Sequence, residues 1–152
     1  MVIRWLSIDD EALARKGLAM ALSLYPDFEC IKQYGDVEDL LNDLPKKIDV
    51  LFVDIEMPSL SGFELLNIWP EPLPLVVFVT AYDQYAVQAF ENQALDYLVK
   101  PIKKNRLAQV VERIRQNIRQ QKQVSSSEQL LQTINNLKQQ MHSNDAEICI
   151  KT

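Results

Sequence analysis

At 152 residues with 47% hydrophobic side chains, the chain is long enough for one ordinary domain with a buried core, which excludes disorder of the whole. The formal net charge of -5 gives no general electrostatic reason to bind nucleic acid, so any contact with DNA would require another module. Cys30 and Cys149 lack CxxC spacing and clustered histidines, which argues against a disulfide framework or a zinc site.

Strand and helix patterns alternate along most of the chain. Mostly apolar runs predict strands at residues 2–8, 28–34, 48–53, 75–79 and 95–99. Apolar residues at helical spacing predict helices at residues 14–25, 37–44, 63–69, 82–90 and 103–122, the second capped by Asp36. Strands that are apolar on both faces are typical of a parallel sheet covered by helices, so the expected fold class is α/β, doubly wound.

Polar side chains follow four of the five predicted strands. Asp9 and Asp10 end the first strand, Asp54 the third, Thr80 the fourth and Lys100 the fifth. Ligands of such sheets bind at the carboxyl ends of the strands, so these side chains should converge. Carboxylates brought close together repel one another, which favours a hard divalent cation such as Mg²⁺. Each residue alone also fits an ordinary polar loop, but together they suit a phosphoryl group attacked by a carboxylate.

Four motifs carry a resemblance to a known family. They are Ile8-Asp9-Asp10-Glu11, Asp54-Ile55-Glu56-Met57-Pro58 with Gly62 downstream, Val79-Thr80-Ala81 and Leu98-Val99-Lys100-Pro101. In this order the chain resembles the receiver domains of two-component response regulators. Residues 80–86 and 94–98 are similar to the LytTR branch in particular. The resemblance implies a five-stranded parallel sheet in the flavodoxin-like order 2-1-3-4-5.

The resemblance also implies roles for the residues at the strand ends. Asp54 would be the phosphoacceptor, attacking a phosphohistidine on a sensor histidine kinase. Asp9, Asp10 and Asp54 would bind Mg²⁺ together with the backbone carbonyl of Glu56. Lys100 would pair with the phosphoryl oxygens. The charge of Glu56, beside the pocket, is expected to alter the lifetime of the phosphoryl group, in a direction that the sequence leaves open.

A switch is implied by the same family. Thr80 would move toward the phosphoryl group after transfer, and the ring of Tyr97 would move inward with it. The Lys100-Pro101 bond is expected to be cis, an isomer that is accessible before proline. The fourth helix, fifth strand and fifth helix would form the output face, and homodimerisation is expected there or through the linker helix described next.

The receiver domain is assigned to residues 1–122 and a helical linker to residues 123–145. The fifth helix is basic and is read either as a solvated face or as a docking surface: Lys103, Lys104, Arg106, Arg113, Arg115, Arg119 and Lys122. Ser125 and Glu128 have capping-box spacing and predict that a new helix starts there. Residues 146–152 resemble the first strand of a LytTR DNA-binding domain whose remainder is missing; a disordered tail is the alternative.

The expected function is therefore phosphorylation-controlled transcription regulation in the cytoplasm, with no enzymatic activity, no membrane contact and DNA bound only through the missing output domain. One alternative is a dimerisation module that works without phosphorylation. An aspartyl-nucleophile phosphatase fits less well, because such enzymes need a second Asp where Glu56 stands. A flavodoxin-like, FMN-binding function has still less support, because the loop after the first strand is acidic where a phosphate cradle should carry glycine and hydroxyl groups.

Overall fold

The structure, a computed structural model, describes residues 1–143. The strands are β1 (Ile3–Ile8), β2 (Phe28–Tyr34), β3 (Val50–Val53), β4 (Leu75–Thr80) and β5 (Asp96–Val99). The helices are α1 (Ala12–Leu22), α2 (Val37–Asn42), α3 (Gly62–Ile68), α4 (Ala86–Glu91) and α5 (Lys104–Ser143), with a 3-10 helix at Asp83–Tyr85. The predicted alternation of strands and helices is confirmed.

All five strands pair in parallel, in the order β2-β1-β3-β4-β5. The chain moves outward from β1 to β2 and then crosses back to β3, so the order reverses between β1 and β3. The carboxyl ends of these two strands therefore border the crevice where such sheets bind ligands. The predicted fold class and strand order are confirmed.

The central strands are buried because their side chains are apolar on both faces. One face of the sheet contributes Leu6 and Leu51 to a buried cluster that also contains Leu40 of α2, Phe63 of α3 and Ala89 of α4. On the opposite face, Trp5 and Phe52 pack edge to face with ring centroids 5.7 Å apart. Ala14 and Leu18 of α1 lie beside Phe52 on that side. Helices thus cover both faces.

Local capping explains where two helices begin. Asp36 accepts a hydrogen bond from the Glu38 N–H at 2.7 Å at the start of α2, as predicted from the sequence. Ser61 does the same for α3 by accepting from the Glu64 N–H at 3.1 Å. The second cap lies in the segment that follows Asp54, so it helps to fix the loop next to the crevice.

The predicted helix break at Ser125 is wrong, because α5 continues from Lys104 to Ser143. Serine costs a helix only about 0.5 kcal/mol relative to alanine, and three serines between good helix formers do not end one. The chain divides into two units, Met1–Ile114 and Arg115–Thr152, of which the second is described only over residues 115–143. The strand predicted at residues 146–152 lies outside the described residues. Within residues 1–143, none of the helices is long and apolar enough to cross a membrane.

Candidate functional site

Lys100 connects the ends of three elements at the carboxyl edge of the sheet. Its backbone N–H donates to the Thr80 carbonyl at 2.7 Å, which places the side chain over the crevice. The ammonium Nζ lies 2.7 Å from Asp9 Oδ2, 3.6 Å from Asp54 Oδ2 and 3.3 Å from Glu11 Oε1. The Lys100-Pro101 bond is cis, as the resemblance implied. The structure therefore brings together Asp9, Asp54 and Lys100, which the sequence placed at three different strand ends.

Asp9, Glu11 and Asp54 form the carboxylate cluster of this site. Each offers one oxygen, and the three oxygens all lie within 4.8 Å of one another. Asp9 and Asp54 are buried, whereas Glu11 is exposed. Oxygen donors of this kind suit a hard cation such as Mg²⁺, which keeps part of its water shell. The chemistry of the donor set fits the predicted metal.

The cluster differs in one member from the predicted ligand set. Asp10 is exposed and does not belong to the group of three, while Glu11 does. The Glu11 N–H donates to Asp9 Oδ1 at 2.9 Å, and this turn brings the third acid of the run back toward the crevice. The sequence offered only one signal for Glu11, namely its place directly after two acids. The predicted role of the Glu56 carbonyl stays a prediction; the Glu56 N–H lies 3.4 Å from Asp54 Oδ1.

The pKa values of the crevice residues follow from burial and neighbouring charge. Burial, reinforced by the negative charge of Asp9, raises the pKa of Asp54 from 3.8 to about 7, although Lys100 and the Glu56 N–H act in the opposite direction. Burial lowers the pKa of Lys100, but the hydrogen bond to Asp9 and the charges of Asp54 and Asp9 outweigh it, so this pKa lies above its ordinary value. Lys100 is therefore cationic while Asp54 titrates near neutrality.

Thr80 and Tyr97, the predicted switch residues, both contact the backbone of Tyr82. Thr80 is fully buried, and its Oγ1 accepts a hydrogen bond from the Tyr82 N–H at 3.3 Å. The Tyr97 hydroxyl donates to the Tyr82 carbonyl. Only 7% of Tyr97 is exposed, so its ring already lies inward in this structure. A displacement of the Tyr82 main chain would therefore change the hydrogen bonds of both side chains.

A second contact joins the loops on either side of the crevice. The Tyr85 hydroxyl donates to Glu56 Oε1 at 2.5 Å, and the Tyr85 ring packs against Phe63 with centroids 6.2 Å apart. This bond fixes the carboxylate of Glu56 next to the segment that carries Asp54. Sequence reasoning missed Tyr85, since a tyrosine inside the helix predicted at residues 82–90 gives no signal of its partner.

Gly62 permits the close approach of α3 to the Asp54 backbone. A Cβ at this position would lie 2.6 Å from the Asp54 carbonyl oxygen and 2.9 Å from Val53 Cγ1. The Gly62 N–H also donates to the Ile55 carbonyl at 2.9 Å. The glycine in the Asp54 motif thus has a steric explanation, because any side chain at position 62 would clash with the Asp54 carbonyl and with Val53.

Asp96 forms a buried ion-pair clamp next to Tyr97. Its carboxylate is 1% exposed and contacts Arg106 Nη2 at 2.5 Å and Arg113 Nη1 at 2.9 Å. Burial raises the pKa of Asp96, but the hydrogen bonds from Arg106 and the Tyr97 N–H and the two arginine charges bring it below its ordinary value. Two residues of the basic strip on α5 are thus engaged with β5 rather than forming a free solvated face. Sequence reasoning missed Asp96, although an acid inside the strand predicted at residues 95–99 was a signal.

Comparison with known proteins gives consistent matches over most of the chain. Residues 6–112 match the family described as the response regulator receiver domain. An uncharacterized response regulatory protein of Vibrio cholerae is 51% identical over 111 residues, which cover 72% of this chain and 47% of that protein. The transcriptional regulatory protein BtsR of Salmonella typhi is 42% identical over 117 residues, covering 76% and 49%.

A solved structure is similar as well. The REC domain of AraT, a response regulator from Geobacillus stearothermophilus, superimposes with a TM-score of 0.71 at 34% sequence identity, covering 80% of this chain and 99% of that domain. The chain spans about half the length of the curated relatives it matches. These similarities concern the part of the chain that contains the sheet and the crevice.

Proposed function

The chain belongs to the response regulator receiver domain family, and on that premise we propose that it accepts a phosphoryl group on Asp54 from a sensor histidine kinase. The observation that carries this proposal is the contact set of Lys100, whose ammonium lies within 3.6 Å of Asp54 and 2.7 Å of Asp9. A buried nucleophile, a fixed cation and a cluster of oxygen ligands at one crevice suit phosphoryl transfer.

In the proposed reaction, Asp54 Oδ attacks phosphorus of a phosphohistidine. An O–P bond forms, the P–N bond breaks, and the bonding electrons leave with the imidazole nitrogen of the kinase, which then takes up a proton. Asp54 must be ionised to attack, and its pKa of about 7 places its titration close to neutral pH. The Lys100 ammonium is positioned to neutralise a phosphoryl oxygen next to Asp54.

We assign Mg²⁺ to the same crevice. Asp9, Asp10, Asp54 and the Glu56 carbonyl are the proposed ligands, and Glu11 is an additional candidate because its carboxylate reaches the cluster. When bound, the ion supplies positive charge that offsets the carboxylates and stabilises charge on the phosphoryl oxygens. Binding of the cation also favours the ionised form of Asp54, because positive charge lowers the pKa of a nearby carboxyl group.

The switch is proposed to run through the Tyr82 backbone. A phosphoryl group on Asp54 offers the Thr80 O–H an anionic acceptor, and reaching it would draw Thr80 Oγ1 away from the Tyr82 N–H, from which it now accepts a hydrogen bond. Movement of Thr80 then releases the Tyr82 N–H, and the carbonyl of the same residue is the acceptor for Tyr97. Through Tyr97 the change reaches β5 and the surface formed with α4 and α5.

Glu56 is proposed to influence how long the phosphoryl group survives. Tyr85 holds its carboxylate in place, so its charge lies at a fixed position beside the site. The rate of acyl-phosphate decay should therefore differ between the wild-type protein and Glu56→Gln when both are phosphorylated under the same conditions. Equal decay rates would contradict this role.

The output is proposed to be a change in dimerisation that controls transcription. The surface of α4 and β5 exposes Val87 at 71%, Phe90 at 51% and Val99 at 37%, and apolar groups of this size favour a partner. In the second unit, α5 exposes a further apolar set: Leu130, Leu131, Ile134 and Leu137. Either surface could pair with a second copy.

DNA binding is proposed to belong to a LytTR output domain outside this chain. BtsR is named a transcriptional regulatory protein, and this chain matches only about half of it. For this chain we keep the proposed division into a receiver at residues 1–122, a linker at residues 123–145 and the start of an output domain at residues 146–152. Membership of the receiver domain family is also the reason for proposing a sensor histidine kinase as the partner and the cytoplasm as the location.

Beryllofluoride with Mg²⁺, which mimics an aspartyl phosphate, tests the switch. We expect it to bind the wild-type protein and to tighten dimerisation in sedimentation equilibrium, because a ligand shifts an equilibrium only through unequal affinity for its states. Asp54→Asn should abolish the effect, whereas Asp39→Asn, which removes an exposed acid on α2, should preserve it. If neither beryllofluoride nor Asp54→Asn changes the dimerisation equilibrium, the result would instead support a dimerisation module that works without phosphorylation. The exposed apolar residues of α5 are the observation that favours this alternative.

A further inference from the structure

Asp9 is held at four points, and one of its partners lies outside the crevice. Its N–H donates to the Tyr34 carbonyl at 3.0 Å, and its carboxylate accepts from the Glu11 N–H and from Lys100. Its own carbonyl accepts a hydrogen bond from Arg15 Nη1 at 2.7 Å. The peptide that joins Asp9 to the next acid is therefore oriented by a guanidinium that contacts the main chain of Asp9.

The main chain of Arg15 is in turn held by β2, and its guanidinium lies beside Gly35 in the turn that follows this strand. Gln33 Nε2 donates to the Arg15 carbonyl at 2.8 Å and to Ser7 Oγ at 2.9 Å, which ties the first turns of α1 to the sheet. A Cβ on Gly35 would lie 2.7 Å from Arg15 Nη1 and 3.1 Å from its Cζ. The guanidinium thus occupies the space that a side chain at position 35 would need.

We propose that Arg15 is a positioning residue for the candidate metal site and that it acts by donating a hydrogen bond to the backbone carbonyl of Asp9. Gly35, which has no side chain, leaves the space that the Arg15 guanidinium needs for this contact. The inference rests on the proposed function, because it gives Arg15 a role at the Mg²⁺ site assigned there. Partners that orient metal ligands typically contribute 10- to 100-fold to metal affinity. Because Arg15 acts through the main chain rather than on the carboxylate itself, we expect an effect near the lower limit.

Whether replacing Arg15 weakens or strengthens Mg²⁺ binding distinguishes a positioning role from a purely electrostatic one. Removing a cation close to a carboxylate cluster should strengthen the binding of Mg²⁺ if charge alone matters. Loss of the hydrogen bond should weaken it, because the peptide after Asp9 is then free to rotate and the carboxylates lose their shared orientation. Lys16, the exposed neighbouring cation on α1, provides a control with the same change of charge.

The test is a calorimetric titration of the full chain with Mg²⁺ at pH 8, where Asp54 is ionised. Arg15→Gln should raise the Kd by about tenfold. Lys16→Gln should leave it unchanged or lower it slightly, and Arg15→Lys, which keeps a donor, should restore part of the affinity. Urea unfolding of each variant in EDTA confirms that it is folded before titration.

Gly35→Ala provides a second, independent perturbation of the same contact. The added Cβ displaces the guanidinium without removing its charge, so Mg²⁺ binding should weaken, by up to about tenfold. In Arg15→Gln the same substitution should add little, because the group it displaces is gone. This loss of additivity is not expected if Gly35→Ala acts only on the turn.

The outcomes distinguish this inference from the function on which it rests. If the wild-type protein binds Mg²⁺ and Asp54→Asn weakens that binding, the metal site stands. Equal Kd values for Arg15→Gln and Lys16→Gln would then overturn the role of Arg15 alone. Failure of the wild-type protein to bind Mg²⁺ would overturn the proposed metal site, and the role of Arg15 with it.

Discussion

Replacing Asp54 with asparagine should make the metal-free protein more stable, although it removes the proposed phosphoacceptor. Asp54 is 4% exposed and lies beside Asp9, so its ionised form is disfavoured in the folded state. Its pKa is about 7 when folded, against 3.8 as the ordinary value. The folded protein thus binds more protons than the unfolded chain between these values, and its stability falls as the pH rises through that window.

The size of the effect follows from the two pKa values. At 1.36 kcal/mol per pH unit, the raised pKa of Asp54 costs the folded protein roughly 4 kcal/mol of stability at pH 8 and roughly 1.5 kcal/mol at pH 5. Asparagine has nearly the same shape and carries no charge, so Asp54→Asn avoids this cost. The stability advantage of the variant should therefore grow by about 2 to 3 kcal/mol between pH 5 and pH 8.

Urea unfolding of both proteins in EDTA, followed by tryptophan fluorescence at pH 5, 6, 7 and 8, measures this difference. The midpoint of its pH dependence should lie between the unfolded and folded pKa values of Asp54, and the difference should level off above about pH 7. Addition of Mg²⁺ should stabilise the wild-type protein more than Asp54→Asn and so reduce the difference between their free energies of unfolding. A stability difference that stays constant with pH would refute the electrostatic account of the crevice.

Two further predictions concern stability. Asp96→Asn should lower the free energy of unfolding by roughly 1.5 to 3 kcal/mol at pH 7, because charge-assisted bonds to Arg106 are lost. As the pKa of Asp96 is depressed, this loss should shrink when the pH falls through its folded pKa, and a pH-independent difference would argue against the clamp. Gly62→Ala should cost about 1 to 3 kcal/mol because its Cβ meets the Asp54 carbonyl, whereas Gly17→Ala, with nothing within 4 Å, should add about 0.5 to 1 kcal/mol. Equal urea midpoints for the two alanine variants would contradict the steric reading.

The sheet was predictable from the sequence because its signals are strong and local. The run from Val50 to Val53 is apolar at every position, which in a chain of alternating strands and helices indicates a strand buried on both faces. The strand ends then follow from topology, since parallel strands place their carboxyl ends at one edge. That is why Asp9, Asp54 and Lys100 could be placed together before any distance was known.

Contacts between side chains of distant elements were less accessible. The engagement of Arg106 and Arg113 by Asp96 depends on the packing of α5 against β5, and the sequence shows only a basic helix. The contact from Arg15 to the Asp9 carbonyl depends on the space at Gly35, which is a property of the turn. In both cases the residue types were visible, but their partners are set by tertiary structure.

The continuity of α5 was mispredicted for a different reason. Serine followed by glutamate three residues later is a good helix start, so the capping signal at Ser125 was read as a boundary. Such a signal specifies a start only where the preceding residues leave the helical conformation. Gln120 to Gln123 are good helix formers, and the helix passes through.

Transfer of a phosphoryl group from acetyl phosphate tests the central claim most directly. Incubation of the full chain with acetyl phosphate and Mg²⁺, followed by peptide mass spectrometry under conditions that preserve acyl phosphates, locates the label. We expect a phosphoryl group on Asp54 in the wild-type protein, dependent on Mg²⁺ and absent from Asp54→Asn. An unlabelled protein, or equal labelling of the wild type and Asp54→Asn, would contradict the assignment of Asp54 as the phosphoacceptor.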